Sequence, residues 1–306
     1  MLKAVSGDDR CLNRLFRPDF SGKVHSIFRH VINICDQDGV LYSLAAADRD
    51  NAPHTVLVVL PDGFRFDATG LAGGDPVSAG SGLLTVGAEL AVEATGAVVW
   101  QGELPLFPAR PGLDLLADNL AVLTESIAAA GTDGGLKAYV TGGGQGSPSL
   151  FSRELAVRAA GLVTALEADD FAAAFVRGRS LLGLGAGQTP SGDDFLAGLI
   201  TVFHMPDGPF GEDYTTLAEL LAGEADSLTT DVSRAMLQQA ASGRARESVI
   251  GLLAALTAGE SSRVGPAAAR VLALGSASGT DIAAGLVCGL KHGLWLLGKK
   301  DCRHKS

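Results

Sequence analysis

Aromatic residues are scarce in this chain, 6% of 306 positions, with two tryptophans and three tyrosines. A core with few rings must be filled by small and aliphatic side chains. Forty glycines and a 47% hydrophobic content supply them. That balance excludes a disordered chain and points to helices in close contact. Positive charge is also short, and the formal net charge is −10. No nucleic-acid partner is expected, because a general binder needs a basic face to neutralise phosphates. The one Lys/Arg-dense stretch, "GKKDCRHK" near the C-terminus, reads as a solvated tail.

Cysteine is equally sparse. Cys11, Cys35, Cys288 and Cys302 have neither metal nor redox spacing and read as the reduced thiols of a cytoplasmic protein. The six histidines form no HxH or HxxxH pair, which argues against a classical zinc site. Long apolar runs are missing too. The longest candidate, 282–297, is interrupted by Lys291 and His292, so no membrane span is expected. The start, "MLKAVSGDDRC", carries charge where a signal peptide needs an apolar segment.

What is present falls into two textures. Residues 21–108 read as β structure: "KVHSIFRHVINI" and "GVLYSLAA" flank "CDQDG", "TVLVVL" runs into "PDG" and "FRF", and "GLLTVGAELAVEATGAVVW" alternates between glycines. Short strands between turns predict a small barrel or sandwich. Asp36 and Asp38 lack the other ligands of a calcium loop and belong to turn chemistry. Three prolines in "PLFPARPG", 105–112, mark a boundary. Beyond it, apolar spacing predicts helices over 113–130, 150–166, 169–182, 192–204, 215–241, 246–258, 264–273 and 279–297. "LKAYV" reads as a short strand, and the following "TGGGQGSP" as a glycine-rich connector or lid without a nucleotide fingerprint. The fold class is therefore α+β, with a β-barrel or sandwich-like domain over 1–108 and a mainly α-helical domain over 109–306.

The densest stretch is "GLGAGQTPSGDDFLAG", 183–198, and it has an echo. "SGDDFLAGLI", 191–200, aligns without gaps to "SGTDIAAGLV", 278–287, and "LLGLG" before the first resembles "VLALG" before the second. This predicts an internal helix–loop–helix repeat with units over about 169–204 and 264–297, related by a local two-fold. Each serine stands three residues before an aspartate, the spacing of a capping box. On that reading Ser191 and Ser278 cap their helices while Asp194 and Asp281 complement the helix dipoles.

Capping does not explain everything. Asp193 is an extra acid, and Gly192 and Gly279 stand at first helical positions, where glycine costs stability but lets a ligand approach the backbone. The helices that follow are apolar almost all round, so they are expected to be buried, with Gly198 and Gly285 permitting mutual contact. Two buried helix starts would bring free N–H donors together around a small polar ligand. The candidate ligand site accordingly comprises Gly185, Gly187, Thr189, Ser191, Gly192, Asp193, Asp194, Ser278, Gly279, Thr280 and Asp281. Arg179, with Arg177, is the expected source of positive charge, and Asn33 is the β-half residue to test for facing the helical domain. The acids disfavour simple phosphate binding. They leave two alternatives: Mg²⁺ held by Asp193 and Asp194, or an amide or ureido ligand accepted by hydrogen bonds. Lys291 and His292 lie far along the second helix and are expected at a surface or interface. No nucleophile–base pair is evident, so no catalytic residue is assigned.

"GLGAGQTPSGDDFLAGL", the later "SGTDIAAGL" and the N-terminal "VHSIFRHVINI" resemble a bacterial family of domains of unknown function. That family includes the AllH-type subunit of oxamate carbamoyltransferase. The resemblance implies a cytoplasmic subunit of a hetero-oligomeric carbamoyl-transfer complex. Such a complex would act late in allantoin breakdown, where oxalurate and phosphate give oxamate and carbamoyl phosphate. The Ser-Thr-Arg-Thr-type phosphate loop of classical carbamoyltransferases is absent. Two other readings stand beside this one: a non-catalytic assembly or regulatory subunit, and a stand-alone metal-dependent amide hydrolase.

Overall fold

The computed structural model describes residues 1–143 and 149–304, with side chains described through residue 299. The chain forms two compact units, Met1–Glu103 and Leu104–Ser306. All of "GQGSP" in the glycine-rich connector, residues 144–148, lies outside the described residues, as does the side chain of Cys302.

The first unit contains β1 (Leu2–Asp8), α1 (Asp9–Leu15), β2 (Ser21–Ile27), β3 (Val31–Asp36), β4 (Leu41–Ala46) and β5 (Thr55–Val59). It continues through β6 (Pro76–Gly80), β7 (Leu83–Val86), β8 (Leu90–Glu93) and β9 (Val98–Trp100). Eight strands follow the order β5–β4–β3–β2–β6–β7–β8–β1, and β1 pairs back onto β5 to close a barrel. β9 runs parallel beside β1. Inward positions place Ile32, Ile34, Leu44, Val56, Val58, Leu84, Val86 and Val92 in one core, joined by Cys11 and Leu15 of α1.

Turn chemistry accounts for the register. "KVHSIFRHVINI" is two strands rather than one run, joined where the Phe28 N–H donates to the Val31 carbonyl at 2.8 Å. Asp36 closes the next turn: its Oδ1 accepts the N–H groups of Asp38 (3.0 Å) and Val40 (2.9 Å), and Gly39 holds φ +79°. "FRF" is not a strand. Phe66 opens a short 3₁₀ turn, Phe66–Ala68, and its ring enters the barrel core.

The second unit contains α2 (Leu113–Ala130), α3 (Lys137–Thr141), α4 (Leu150–Glu167), α5 (Phe171–Arg179) and α6 (Ser191–Phe203). It ends with α7 (Glu212–Leu228), α8 (Asp231–Ala241), α9 (Glu247–Ala258), α10 (Ser261–Leu272) and α11 (Ser278–His304). α6 and α11 are the central pair, in more extensive contact than any other two elements. One apolar cluster joins α6 to α4, α5, α7 and α8, and a second joins α11 to α2, α9 and α10. "LKAYV" is helical, not extended. The expected single helix over 215–241 is two, because Thr230 leaves the helix and caps α8 by accepting the Ser233 N–H at 3.1 Å.

Glycine governs the central crossing. A Cβ at Gly198 would lie 2.2 Å from the Ile282 carbonyl oxygen, and one at Gly285 would lie 2.1 Å from that of Phe195. Backbone cannot yield as a side chain does. Gly198→Ala or Gly285→Ala is therefore expected to destabilise by about 3 kcal/mol in denaturant titrations, the upper part of the overpacking range. Gly251→Ala is the comparison, since a Cβ on that helical residue meets nothing within 4 Å. It should be neutral or stabilise by about 0.5–1 kcal/mol.

Candidate functional site

The capping-box geometry does not form. Pro190 occupies the N-cap of α6, and its carbonyl accepts the N–H groups of Asp193 (2.9 Å) and Asp194 (3.1 Å). The Ala277 carbonyl does the same for Thr280 (2.9 Å) and Asp281 (3.2 Å). Gly192 donates to the Leu184 carbonyl at 2.9 Å and Gly279 to that of Leu274 at 3.0 Å. These first-turn donors are consumed by the chain itself, not left for a ligand. The room at the two glycines is also taken. A Cβ at Gly192 would meet the Leu181 carbonyl oxygen at 2.0 Å, and one at Gly279 that of Val271 at 1.9 Å. Their lack of a side chain serves helix–backbone contact.

Freed from capping, the serines serve the opposite helix. The Ser278 and Thr189 hydroxyls approach Asp194, while Ser191 approaches Asp281, near enough to favour the charged forms. Thr189 Oγ1 and Ser278 Oγ are 2.8 Å apart. Proximity stops short of hydrogen bonding: neither oxygen of Asp194, nor Oδ2 of Asp281, has a hydrogen-bond partner among the described residues. Both acids are only 1% exposed. Burial is the main influence on each. It pushes Asp194 up to about 8, with the charge of Asp281 adding to the shift, and Asp281 up to about 6 against the Leu136 N–H that stabilises its carboxylate. An acid that stays protonated thus sits beside one that ionises.

Asp193 has a different role. Its Oδ1 accepts the Gly183 N–H at 2.9 Å, and its Oδ2 accepts the Thr229 hydroxyl. Burial raises its pKa and these bonds oppose the shift. The acid therefore ties the loop after α5 and the α7–α8 junction to the start of α6. Asp193 and Asp194 turn to different partners, and no group of three His, Cys, Asp or Glu side chains gathers as a metal site among the described residues.

The exposed loop over 186–188 covers the first motif. Gly183 and Gly185 hold φ +69° and +144°, conformations that side chains resist. Thr230 donates to the Gln188 carbonyl at 2.5 Å and tethers the loop. On the second motif Thr280 accepts the Thr132 N–H at 2.9 Å.

Other expected members lie elsewhere. Arg179 pairs with Glu224 at 2.7 Å, and the Arg177 side chain lies beside Gly161 on α4. Among the described residues no basic side chain contributes to the shifts of the three acids. Asn33 belongs to the β unit, where its Nδ2 donates to Ser26 at 3.0 Å and its Oδ1 accepts from Ser43 at 2.8 Å. It satisfies a ladder across β2, β3 and β4. His292 is buried at 2% exposure, contrary to the surface expectation, while Lys291 is exposed.

Sequence reasoning missed the segment over 131–136. The Leu136 N–H donates to Asp281 Oδ1 at 2.7 Å, and a Cβ at Gly135 would sit 2.1 Å from that oxygen. The signal was the pair Gly134–Gly135, whose purpose is invisible until Asp281 arrives from 145 residues away.

The raised acids give a signed pH dependence. Folded Asp194 keeps its proton where the unfolded chain, near 3.8, has lost it. Its contribution is full below that value and is lost as pH rises through about 8. Wild type should therefore lose stability relative to Asp194→Asn between about pH 5 and pH 8.5, by on the order of 1 kcal/mol per pH unit, with a falling melting temperature. Thermal denaturation across that range checks it. A gap that stays constant refutes the buried, proton-holding state.

Comparison with known families followed both units. Residues 3–99 match the model described as the AllH family N-terminal domain, and residues 181–290 match that described as oxamate carbamoyltransferase subunit AllH. No solved structure matches the chain. Together the two matches take in the barrel and the central helix pair, and the chain belongs to the AllH family.

Proposed function

We propose that this chain is a subunit of a carbamoyltransferase complex, and that its crossed Ser–Asp cluster holds the amide or ureido end of a small acid. The observation that carries the site is Asp194, a buried carboxyl with both oxygens unpartnered, facing Asp281. Buried polar atoms rarely go unpaired, and an amide supplies one partner to each acid. A protonated Asp194 donates to its carbonyl, and an ionised Asp281 accepts its N–H. Oxamate and oxalurate carry such a group. The family description, oxamate carbamoyltransferase subunit, supports this substrate class; a place in allantoin breakdown is part of the proposal.

The reading includes its own division of labour. Phosphate transfer needs fixed positive charge, and among the described residues no cation acts on this cluster. The phosphate-binding groups would then come from another subunit of a cytoplasmic hetero-oligomer. We also read the equivalent contacts of the two motifs as an internal repeat, with the loop over 183–189 as cover for a ligand. A second reading has support in the way Leu136 and Thr189 already close on the cluster. On that reading the site only joins two halves of an assembly subunit.

Asp194→Leu separates the two, because it removes the polar group while keeping a side chain branched at Cγ. Calorimetric titration with oxamate and oxalurate should show a loss of about tenfold or more in affinity, as expected for a hydrogen bond involving a charged site. The fold should be no less stable. Unchanged binding overturns the ligand site, and retained complex activity then supports the assembly reading.

A further inference from the structure

A second opening lies two helical turns further along α11. Tyr139, Val140, Val163, Glu167, Val287, Cys288, Lys291 and His292 enclose a cavity of about 260 Å³ between α3, α4 and α11. It is large enough for a small organic molecule and falls below the ~300–1,000 Å³ of drug-sized sites.

Its polar groups are unequal. His292 is 2% exposed, and its Nε2 lies 2.8 Å from the Tyr214 hydroxyl. Burial holds the imidazole neutral, well below its usual range, and holds the Tyr214 phenol protonated. A phenol is the better donor of the two, so its proton goes to Nε2 and the imidazole proton resides on Nδ1. That nitrogen is buried with no hydrogen-bond partner. Phe210 and Trp295 stack on the ring at 6.4 and 5.4 Å and prevent it from turning away. Lys291 stands beside it on the wall, exposed, with no salt bridge among the described residues. The exposed Lys291 ammonium thus stands among apolar walls from Val140, Val163 and Val287, and the His292 ring, whose unpartnered Nδ1 is itself buried, forms part of the lining. Glu167, also exposed on the wall, opposes a second negative charge.

We infer that this cavity is a binding site for a small monocarboxylate with a short apolar body, separate from the Ser–Asp cluster. The carboxylate takes the His292 Nδ1–H and the Lys291 ammonium, and the hydrocarbon part meets the valines. α3 joins the two places in the fold. Its first flanking residue, Leu136, contacts Asp281, while Tyr139 and Val140 line the cavity.

The test uses the full chain and saturation-transfer NMR titrations with butyrate, its neutral isostere butyramide, and the dicarboxylate succinate. Butyrate should bind saturably, with butyramide and succinate each weaker by about tenfold. Lys291→Met should remove that preference, and Val163→Phe should abolish binding by filling the space, with circular dichroism unchanged in both. Asp194→Leu should leave butyrate binding within about twofold, so that failure here is distinct from failure of the amide site. Three results overturn the inference: no saturable binding up to about 50 mM, equal binding of butyrate and butyramide, or indifference to both cavity variants.

Discussion

The structure of the helical unit depends on one backbone contact, the crossing of α6 and α11 at Gly198 and Gly285. Each glycine lies against a carbonyl of the other helix, Ile282 and Phe195 respectively. At that separation there is no space for a β-carbon on either side. The crossing brings the two Ser-Gly-acid starts together and buries them, because both helices are then covered by their own apolar clusters. Every electrostatic property of the candidate site follows from this burial.

Burial and proximity act on the acids with opposite results. Asp193 has its two oxygens bonded and becomes a structural tie. Asp194, one position later, turns toward the other helix and finds only hydroxyls and a like charge. Keeping it neutral costs less than charging it, so its proton is retained. Asp281 has the Leu136 N–H and ionises more readily. The likeness of the two motifs in sequence therefore does not extend to the carboxylates, where the flanking segments differ.

The barrel handles polar groups in the ordinary way for a sheet. Ser26, Asn33 and Ser43 bond one another across neighbouring strands, which accounts for a polar residue at 7% exposure among Val31, Ile32 and Ile34. Asp36 is likewise absorbed by its turn. Among the described residues no helix is long and apolar enough to cross a membrane.

Periodicity and turn chemistry in the sequence alone determined the α+β class, the barrel texture, most helices and the burial of α6. The glycine pattern of "SGDDFLAG" and "SGTDIAAG" also announced a close contact between two like helices. Three things were legible only in the fold. Ser191 and Asp194 have capping-box spacing, yet Pro190 takes the cap and the serines turn toward the acid of the opposite helix, which local spacing cannot show. Gly192 and Gly279 read as places where a ligand could approach the backbone, and in the fold the carbonyls of Leu181 and Val271 lie where their side chains would be. Leu136 and Thr229 carried no signal of their own, and the glycine at Gly135 no readable purpose, since the acids they serve lie far away in sequence. Local interactions are written in neighbouring residues. The protonation of a buried carboxyl is set by whatever the whole chain brings around it.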